Sequence, residues 1–357
     1  METQEFDVLV VGGGPAGTVS ALRCSQLGFN VLLVEKEAEG RHKPCGGILT
    51  PACVNVIQET LNTSIPENVF CSPKKLGLYY IPPSGKKNGG SVKNYELFNV
   101  ERSLFDKWLI KLAEKSGVQI WYSTKFMKLK QFPSPETLLM KDKHSFKIKA
   151  RCIIGADGVY SKVRSCLDPP MRMRTMRILQ EYCKAKGDFE NYFYVVFRSD
   201  FSPAYSYIIP KNNYYIIGAG FNENSPKTAL LYIERFKEWL QKTFGFRLFS
   251  LEKREIWAIP YGFTFNGSGN VILVGDAAGF CNALSGEGIR LAIESGIAAS
   301  NAVEKAMAAS KSLLPIYNEY IVWINDFVHA MYEFASNLTD DDKREEFVRS
   351  ELSRIPF

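Results

Sequence analysis

The sequence predicts an α/β chain: a parallel sheet layered with helices, an antiparallel sheet set into it, and a helical C-terminal tail. Three observations predict it. Apolar runs of strand length end in glycine-rich turns and give way to helix patterns at three separated places, near residues 6–26, 150–165 and 270–300. Between the second and third lies a block of short aromatic and β-branched runs. Beyond residue 301 the pattern is helical and charged.

The first unit is FDVLVVGGGPAGTVSALRCSQLGFNVLLVEKE. Residues 6–11 form a valine-rich buried strand. Gly12, Gly14 and Gly17 follow as G-x-G-x-x-G, and a helix that takes in Pro15 and Ala16 stops at Gly28. NVLLVE is a second parallel strand ending at Glu35, with Lys36 next. This is a complete Rossmann-like unit, with the acid at the spacing of a dinucleotide site. The first glycine permits the tight turn, the second lets backbone approach a pyrophosphate, and the third lets helix and strand pack closely. The helix N-terminus offers free N–H groups and a positive dipole end to phosphate. An acid at position 35 suits an unphosphorylated ribose, as in FAD or NAD.

Residues 99–117 read as a helix with Leu104, Trp108, Leu109 and Leu112 on its apolar face, ended by Gly117. VQIWYST and TKFMKLKQF read as strands, with a turn near PSPET. ARCIIGADG is a strand closing on Gly155, Ala156, Asp157 and Gly158. NVILVGDAAGFCNALSGEGIRLAIESG is a buried strand, a Gly275-Asp276 turn, a glycine-rich loop and a helix from near Gly286. Three turns thus bring glycine and acid to strand carboxyl ends, which line one crevice in an open α/β sheet. One extended cofactor is the simplest reason to assemble them. EYCKAK, NYFYVVFRS, AYSYIIPK and NYYIIGAGF read as antiparallel strands, with SPKTALLYIERFKEWLQKTFG as a helix packed on them. The division expected is a discontinuous dinucleotide-binding domain at 1–168 and 266–305, a substrate domain at 169–265 and a helical region at 306–357.

Composition bounds the function. The chain has 357 residues, 46% hydrophobic and 23% charged, enough for a large core. Its net charge of +6 is mildly basic, which does not describe a nucleic-acid binder. It suits an anionic ligand or an anionic membrane surface, or is an ordinary solvated face. The eight cysteines are scattered without a CxxC pair, so no disulfide scaffold is expected. Cys24, Cys152 and Cys166 read as small hydrophobes. Three separated histidines make no metal site. The N-terminus does not read as a signal peptide, and no apolar run is long enough to span a bilayer. A cytoplasmic protein is expected, with peripheral contact at the inner membrane face left open.

The motifs together resemble a known set. G-x-G-x-x-G with Glu35, GADG at 155–158 and GDAAGF…GEGI at 275–289 are similar to the FAD-binding motifs of p-hydroxybenzoate hydroxylase-like flavoproteins. The resemblance covers most of the chain. It implies that the first motif holds the ADP portion and that Gly275 and Asp276 meet the ribityl and phosphate portion. It implies that Gly286, Gly288 and Ile289 approach the flavin ring through backbone. Arg102 resembles an arginine that contacts the flavin nucleotide; an ordinary helix N-terminal ion pair is its other reading. More narrowly, KPCGG at 43–47 resembles the motif after the second strand in geranylgeranyl reductases. AYSYIIPK resembles their Y-x-W-x-F-P signature, filled by Tyr205, Tyr207, Ile209 and Pro210, with Tyr for Trp and Ile for Phe. KPCGG, NVERSLFDKW and the short tail ending in IPF resemble a bacterial branch of that family.

The resemblance implies a reductase of carbon–carbon double bonds in a polyprenyl lipid. Cys45, Gly46 and Gly47 would lie at the isoalloxazine ring, and Tyr205, Tyr207, Ile209 and Pro210 at the substrate. Tyr205 and Tyr207 join Cys45 as candidate catalytic groups. Cys45 has three open roles: donor of a proton, modulator of the flavin, or small residue of a tight turn. One face of the aromatic strands, with Tyr192, Phe193, Tyr194, Phe197, Tyr214 and Tyr215, can line an apolar tunnel; core packing is the alternative. Lys211 follows this signature as a candidate phosphate contact. No second G-x-G-x-x-G unit exists, so NAD(P)H would visit transiently or a ferredoxin-like donor would replace it. An apolar stripe at 313–334 is either a membrane-facing helix or a helix docked on the FAD domain. Two other functions stay open: an aromatic monooxygenase, and a lipid-binding flavoprotein without turnover.

Overall fold

The computed structural model describes residues 3–130, 135–167, 173–221 and 226–353. The expected 168/169 boundary and the IPF end of the tail lie outside them.

The first sheet begins with the strand Thr3–Val11, whose last four residues are buried. It pairs in parallel with Val31–Val34 on one side and His144–Gly155 on the other. Gln119–Trp121 and Val271–Leu273 extend the parallel order outward. Thr124–Lys130 and Glu136–Lys141 form an antiparallel meander onto His144–Gly155. Val8, Leu9, Val10, Leu32, Leu33, Ile153 and Ile154 are fully or almost fully buried, as strands covered by helices on both faces must be. The helices Pro15–Gln26 and Ile289–Ala309 cross one face in close contact. A Cβ on Gly296 would stand 2.6 Å from the Ala16 carbonyl oxygen, so this crossing requires glycine. Arg102–Lys115 is the helix expected near 99–117, but its buried face is Phe105, Leu109, Ile110 and Ala113; Leu104 is exposed.

The second sheet has eight strands, and three come from a stretch the sequence reading did not assign to it. Ile48–Leu49, Phe70–Ile81 and Gly90–Val100 join Thr175–Lys186, Tyr192–Val196, Ser206–Lys211, Tyr214–Phe221 and Arg247–Pro260. The pairing is antiparallel, except that Tyr192–Val196 runs parallel to Phe70–Ile81. Pro226–Phe244 packs on one face through Ile233, Phe236 and Leu240, which are fully buried. The other face looks toward the first sheet's glycine turns.

The tail docks rather than projects. Leu313–Tyr320 and Val322–Asn337 bury Leu313, Ile316, Tyr317, Ile321, Ile324 and Val328 against the first core. Tyr317 donates to the Leu273 carbonyl at 2.9 Å. Asp341–Ser353 reaches the second sheet, where Phe347 meets Tyr80 and Phe197. Tyr320, Val322, Trp323 and Phe334 remain on the outer side of the stripe. No helix of the described residues is long and apolar enough to cross a membrane.

Candidate active site

The N-terminal turn is a cradle with no room for side chains. A Cβ on Gly12 would collide with the Ala156 carbonyl, and one on Gly17 with the Gly12 carbonyl. Gly12 also has φ +111°, a conformation glycine adopts without steric cost. Gly14 caps the helix without a side-chain hydrogen bond, and Pro15 occupies the first helical turn, so the N–H groups stay available. Glu35 is buried and fixed: Oε2 accepts from the Gly13 N–H at 2.8 Å and Oε1 from the Glu37 N–H at 3.0 Å. Lys36 is exposed.

Arg41 went unnoticed in the sequence. Its Nε lies 3.3 Å from Glu35 Oε2, its Nη1 pairs with Asp106, and Nη1 would stand 3.6 Å from a Cβ on Gly14. It therefore sets a cation over the phosphate-facing turn. No motif announces it; only the fold brings the loop after Glu35 back to Gly14. Arg102 is buried and donates to Asp106 Oδ1 at 2.7 Å. Burial opposes its charge, but Asp106 and Cys45 overcome this and raise its pKa. The ion pair within its helix is therefore present, and the side chain also lies beside Cys45.

Asp157 has its Oδ2 on the Lys162 and Val163 amides at 2.7 and 3.0 Å, capping the short helix Lys162–Ser165. Burial raises its pKa against those amides. The neighbouring Ala156 carries the contact with Gly12 and Gly17. The third turn closes the crevice. Gly275 has φ +55° and lies over Ala16. Asp276 accepts from Lys43 at 2.6 Å, and Thr50 donates to Glu287 at 2.8 Å. These two contacts join the KPCGG turn to the 275–289 loop. Gly288 caps Ile289–Ala309 without a side-chain bond, leaving a second uncapped helix N-terminus beside the first.

The strand Ser206–Lys211 runs beneath both loops. Alternation places Tyr205, Tyr207, Ile209 and Lys211 on one face. Tyr205 donates to the Ser285 carbonyl at 2.6 Å and lies 3.3 Å from the Cβ position of Gly286. A Cβ on Gly46 would meet Ile209 Cδ1 at 2.8 Å, and one on Gly47 would collide with the Val100 carbonyl. Cys45, half-buried, accepts from the Gly47 N–H at 3.4 Å. Tyr207 donates to Gln180 at 2.9 Å, and burial pushes its phenol well above the ordinary range. The Pro210 carbonyl accepts from Asn99 at 2.9 Å. Lys211 is a buried hub that donates to Asn99 Oδ1 at 2.8 Å and the Val100 carbonyl at 2.7 Å, with Cys71 Sγ at 3.6 Å. Burial lowers its pKa. An ammonium whose donors are engaged inside the sheet does not serve a phosphate head group, so the phosphate-contact reading of Lys211 is withdrawn.

The aromatic strings divide between the two faces. Tyr192, Tyr194 and Tyr215 pack under the helix Pro226–Phe244 with Phe189 and Phe246. Phe193, Tyr205, Tyr207 and Tyr214 belong to the cluster on the loop-facing side.

Comparison with known proteins places this architecture. The family described as FAD binding domain matches residues 5–321. The chain belongs to that family. Protein CbrA of Escherichia coli strain K12 is 27% identical over 298 residues, spanning 82% of this chain and 82% of that one. A geranylgeranyl bacteriochlorophyll reductase-like protein from Thermoplasma acidophilum superposes with a TM-score of 0.85 at 21% identity, covering 99% of this chain and 93% of the other. PqsL of Pseudomonas aeruginosa, described as a probable FAD-dependent monooxygenase, superposes with a TM-score of 0.72 at 17% identity over 97% and 100% of the two chains. The myxobacterial chondrochloren halogenase CndH gives 0.78 at 19% identity over 99% and 86%. These likenesses establish a flavoprotein fold shared by reductases, monooxygenases and halogenases.

The residues present fit FAD. The Cβ-free cradle at Gly12 and Gly17, two uncapped helix N-termini, the Arg41 cation and the fixed Glu35 carboxylate suit a dinucleotide with an anionic pyrophosphate.

Proposed function

We propose that the protein reduces carbon–carbon double bonds of a polyprenyl lipid, using FAD. The observation that carries the reading is the strand Ser206–Lys211, whose apolar and aromatic face, Tyr205, Tyr207 and Ile209, lies beneath the KPCGG turn and the Gly286 loop. A substrate there is flanked by Ile48, Ile178, Ile209 and Ile216, side chains that suit an isoprenoid better than a polar ring. The name borne by the Thermoplasma structure, a geranylgeranyl bacteriochlorophyll reductase-like protein, supports this direction.

Bound and reduced, FAD supplies hydride to one carbon of the double bond. The chain's own residues do the rest. Gly46 and Gly47 let backbone approach the ring. Tyr205, tied to Ser285, closes the floor against water. Cys45, held by the Gly47 N–H beside Arg102, shapes the turn and tunes the flavin. The reductant, NAD(P)H or a ferredoxin-like protein, acts as a transient visitor. The lipid reaches the protein from a membrane surface in this reading.

The deciding experiment is anaerobic. The FAD-loaded protein is reduced chemically and mixed with prenyl alcohols, phosphates and diphosphates of several lengths. Flavin reoxidation with a gain of two hydrogens per double bond is expected. Failure with every prenyl lipid, alongside oxygen-dependent product from an aromatic compound, would move the protein to the monooxygenases. Tight lipid binding without reoxidation would make it a lipid-binding flavoprotein.

A further inference from the structure

Each reduction of a double bond consumes one hydride and one proton, and the candidate active site is lined by buried groups. Where the proton comes from can be read from the direction of the hydrogen bonds. Tyr205 spends its hydroxyl proton on the Ser285 carbonyl at 2.6 Å. Tyr207 spends its own on Gln180 Oε1 at 2.9 Å. Gln180 then donates through Nε2 to the hydroxyl oxygen of Tyr182 at 2.8 Å. Tyr182 is therefore an acceptor in this row, and its proton is not committed to Gln180. It belongs to the same cluster as Tyr207, Ile209 and Ile48, and its ring lies 5.8 Å from that of Tyr214.

Glu255 faces Tyr182 from the neighbouring strand, where Gln180 and Glu255 are register partners. Its Oε2 is buried and has no fixed hydrogen-bond partner among the described residues. Buried polar atoms in native proteins are almost always satisfied, and a phenol hydroxyl rotates freely to suit an acceptor. Burial first, and the Glu255 charge second, keep the Tyr182 phenol protonated. The other carboxylate oxygen, Oε1, lies 2.7 Å from His42 Nε2 and is also paired with Lys253, whose ammonium lies 2.9 Å from the same ring nitrogen. His42 is 44% exposed, so this end of the row meets solvent. His42 precedes Lys43 and Cys45 in the turn over the site, which ties the row to the site by chain as well as by contact.

We propose that Tyr182 gives the proton to the substrate carbon that takes no hydride, and that Glu255 and His42 restore it from solvent. This rests on the reductase reading. The new C–H bond forms as the Tyr182 O–H bond breaks, with the electron pair left on the phenolate oxygen. Glu255 takes a proton from the His42 ring and passes it to the phenolate, and His42 recovers one from water. Gln180 is a positioning residue: it holds Tyr182 and Tyr207 in one orientation. The hydride is that of the reduced flavin, so electrons and protons balance.

Two measurements test the path, and one needs no substrate. With 3-fluorotyrosine at position 182, the fluorine resonance is expected to move in Glu255→Gln and, by a smaller amount, in His42→Ala. A resonance indifferent to both would overturn the path whatever the protein's substrate. In single turnover with a prenyl substrate, Tyr182→Phe is expected to slow reoxidation by about 100-fold, the usual contribution of a general acid, with FAD affinity unchanged. Over repeated turnovers with excess chemical reductant, where the Tyr182 proton must be restored between cycles, His42→Ala is expected to slow the rate, to raise the solvent deuterium isotope effect and to recover with added imidazole. Unchanged rates and isotope effects in both variants would overturn the proposal while leaving the reductase reading intact. A wild-type protein that reduces no prenyl lipid sinks that reading instead, and the fluorine measurement still decides whether the path exists.

Discussion

Gly17 cannot carry a side chain, because its Cβ would fall on the Gly12 carbonyl. Gly17→Ala is expected to abolish FAD retention and to cost about 1–3 kcal/mol of stability, as overpacking does. The visible flavin spectrum after reconstitution and a urea titration read both effects. Gly218 is a different case, since it faces Tyr207 across two paired strands and an added methyl would collide with that ring. Gly218→Ala should keep FAD but displace Tyr207 from Gln180, so turnover falls while flavin content holds. Lys211 brings a pH dependence. Burial lowers its pKa from the ordinary 10.5, so between the lowered value and 10.5 the unfolded chain binds more protons than the folded one. Stability from this group therefore rises with pH across that window. Lys211→Met should flatten the rise. It also leaves Asn99 and Val100 acceptors without their donor, at a cost of about 1–3 kcal/mol. Denaturation at neutral and alkaline pH checks both. Cys45→Ala should hold turnover within about tenfold if the proton comes from Tyr182, well short of the loss expected for a general acid.

At the scale of elements, the strand–turn–helix units were legible because each concentrates its signal in a few consecutive residues. The G-x-G-x-x-G turn, GADG and GDAAGF…GEGI all stand where the sequence puts them, at strand ends facing one crevice. Phe70–Ile81 and Gly90–Val100 were not legible. Their side chains lack the clean buried–exposed alternation of a half-buried strand, and register shifts break their pairing. Arg41, Tyr182, Gln180 and Glu255 were missed for another reason. Their roles come from neighbours in space, and no local spacing encodes them. The apolar stripe of the tail was legible as a stripe, but only packing shows that its main face is spent on the first core. The close crossing of Pro15–Gln26 with Ile289–Ala309 makes its own prediction. Gly296→Val should push the second helix away and weaken FAD binding at least tenfold, about 1.4 kcal/mol, as flavin fluorescence on titration would show.

Across the whole molecule, the tail holds the two sheets as one body. Its first two helices belong to the first core, and its last helix lies on the second sheet. Arg344, buried, donates to the Ser202 carbonyl at 3.1 Å and the Leu338 carbonyl at 3.2 Å. Ending the chain before Thr339 should expose Tyr80 and Phe197 and loosen the second sheet. Hydrogen exchange is expected to quicken in Phe70–Ile81 and Tyr192–Val196 and to stay slow in Thr3–Val11. A truncated protein with uniform protection would show that the last helix is dispensable.

The Lys43–Asp276 and Thr50–Glu287 contacts join segments far apart in the chain. On the ribosome, the Lys43 and Thr50 side emerges early and its partners emerge 233 and 237 residues later. The first strands and the Gly12 turn can form while most of the chain is still unmade, since chains fold from the N-terminus as they are synthesised. The other side of the crevice comes only with Gly275–Ala277 and the helix Ile289–Ala309. A nascent chain can therefore form the Gly12 cradle long before it can close the crevice. Cellular FAD supply would then bear on the yield of this protein late in synthesis, not at its start.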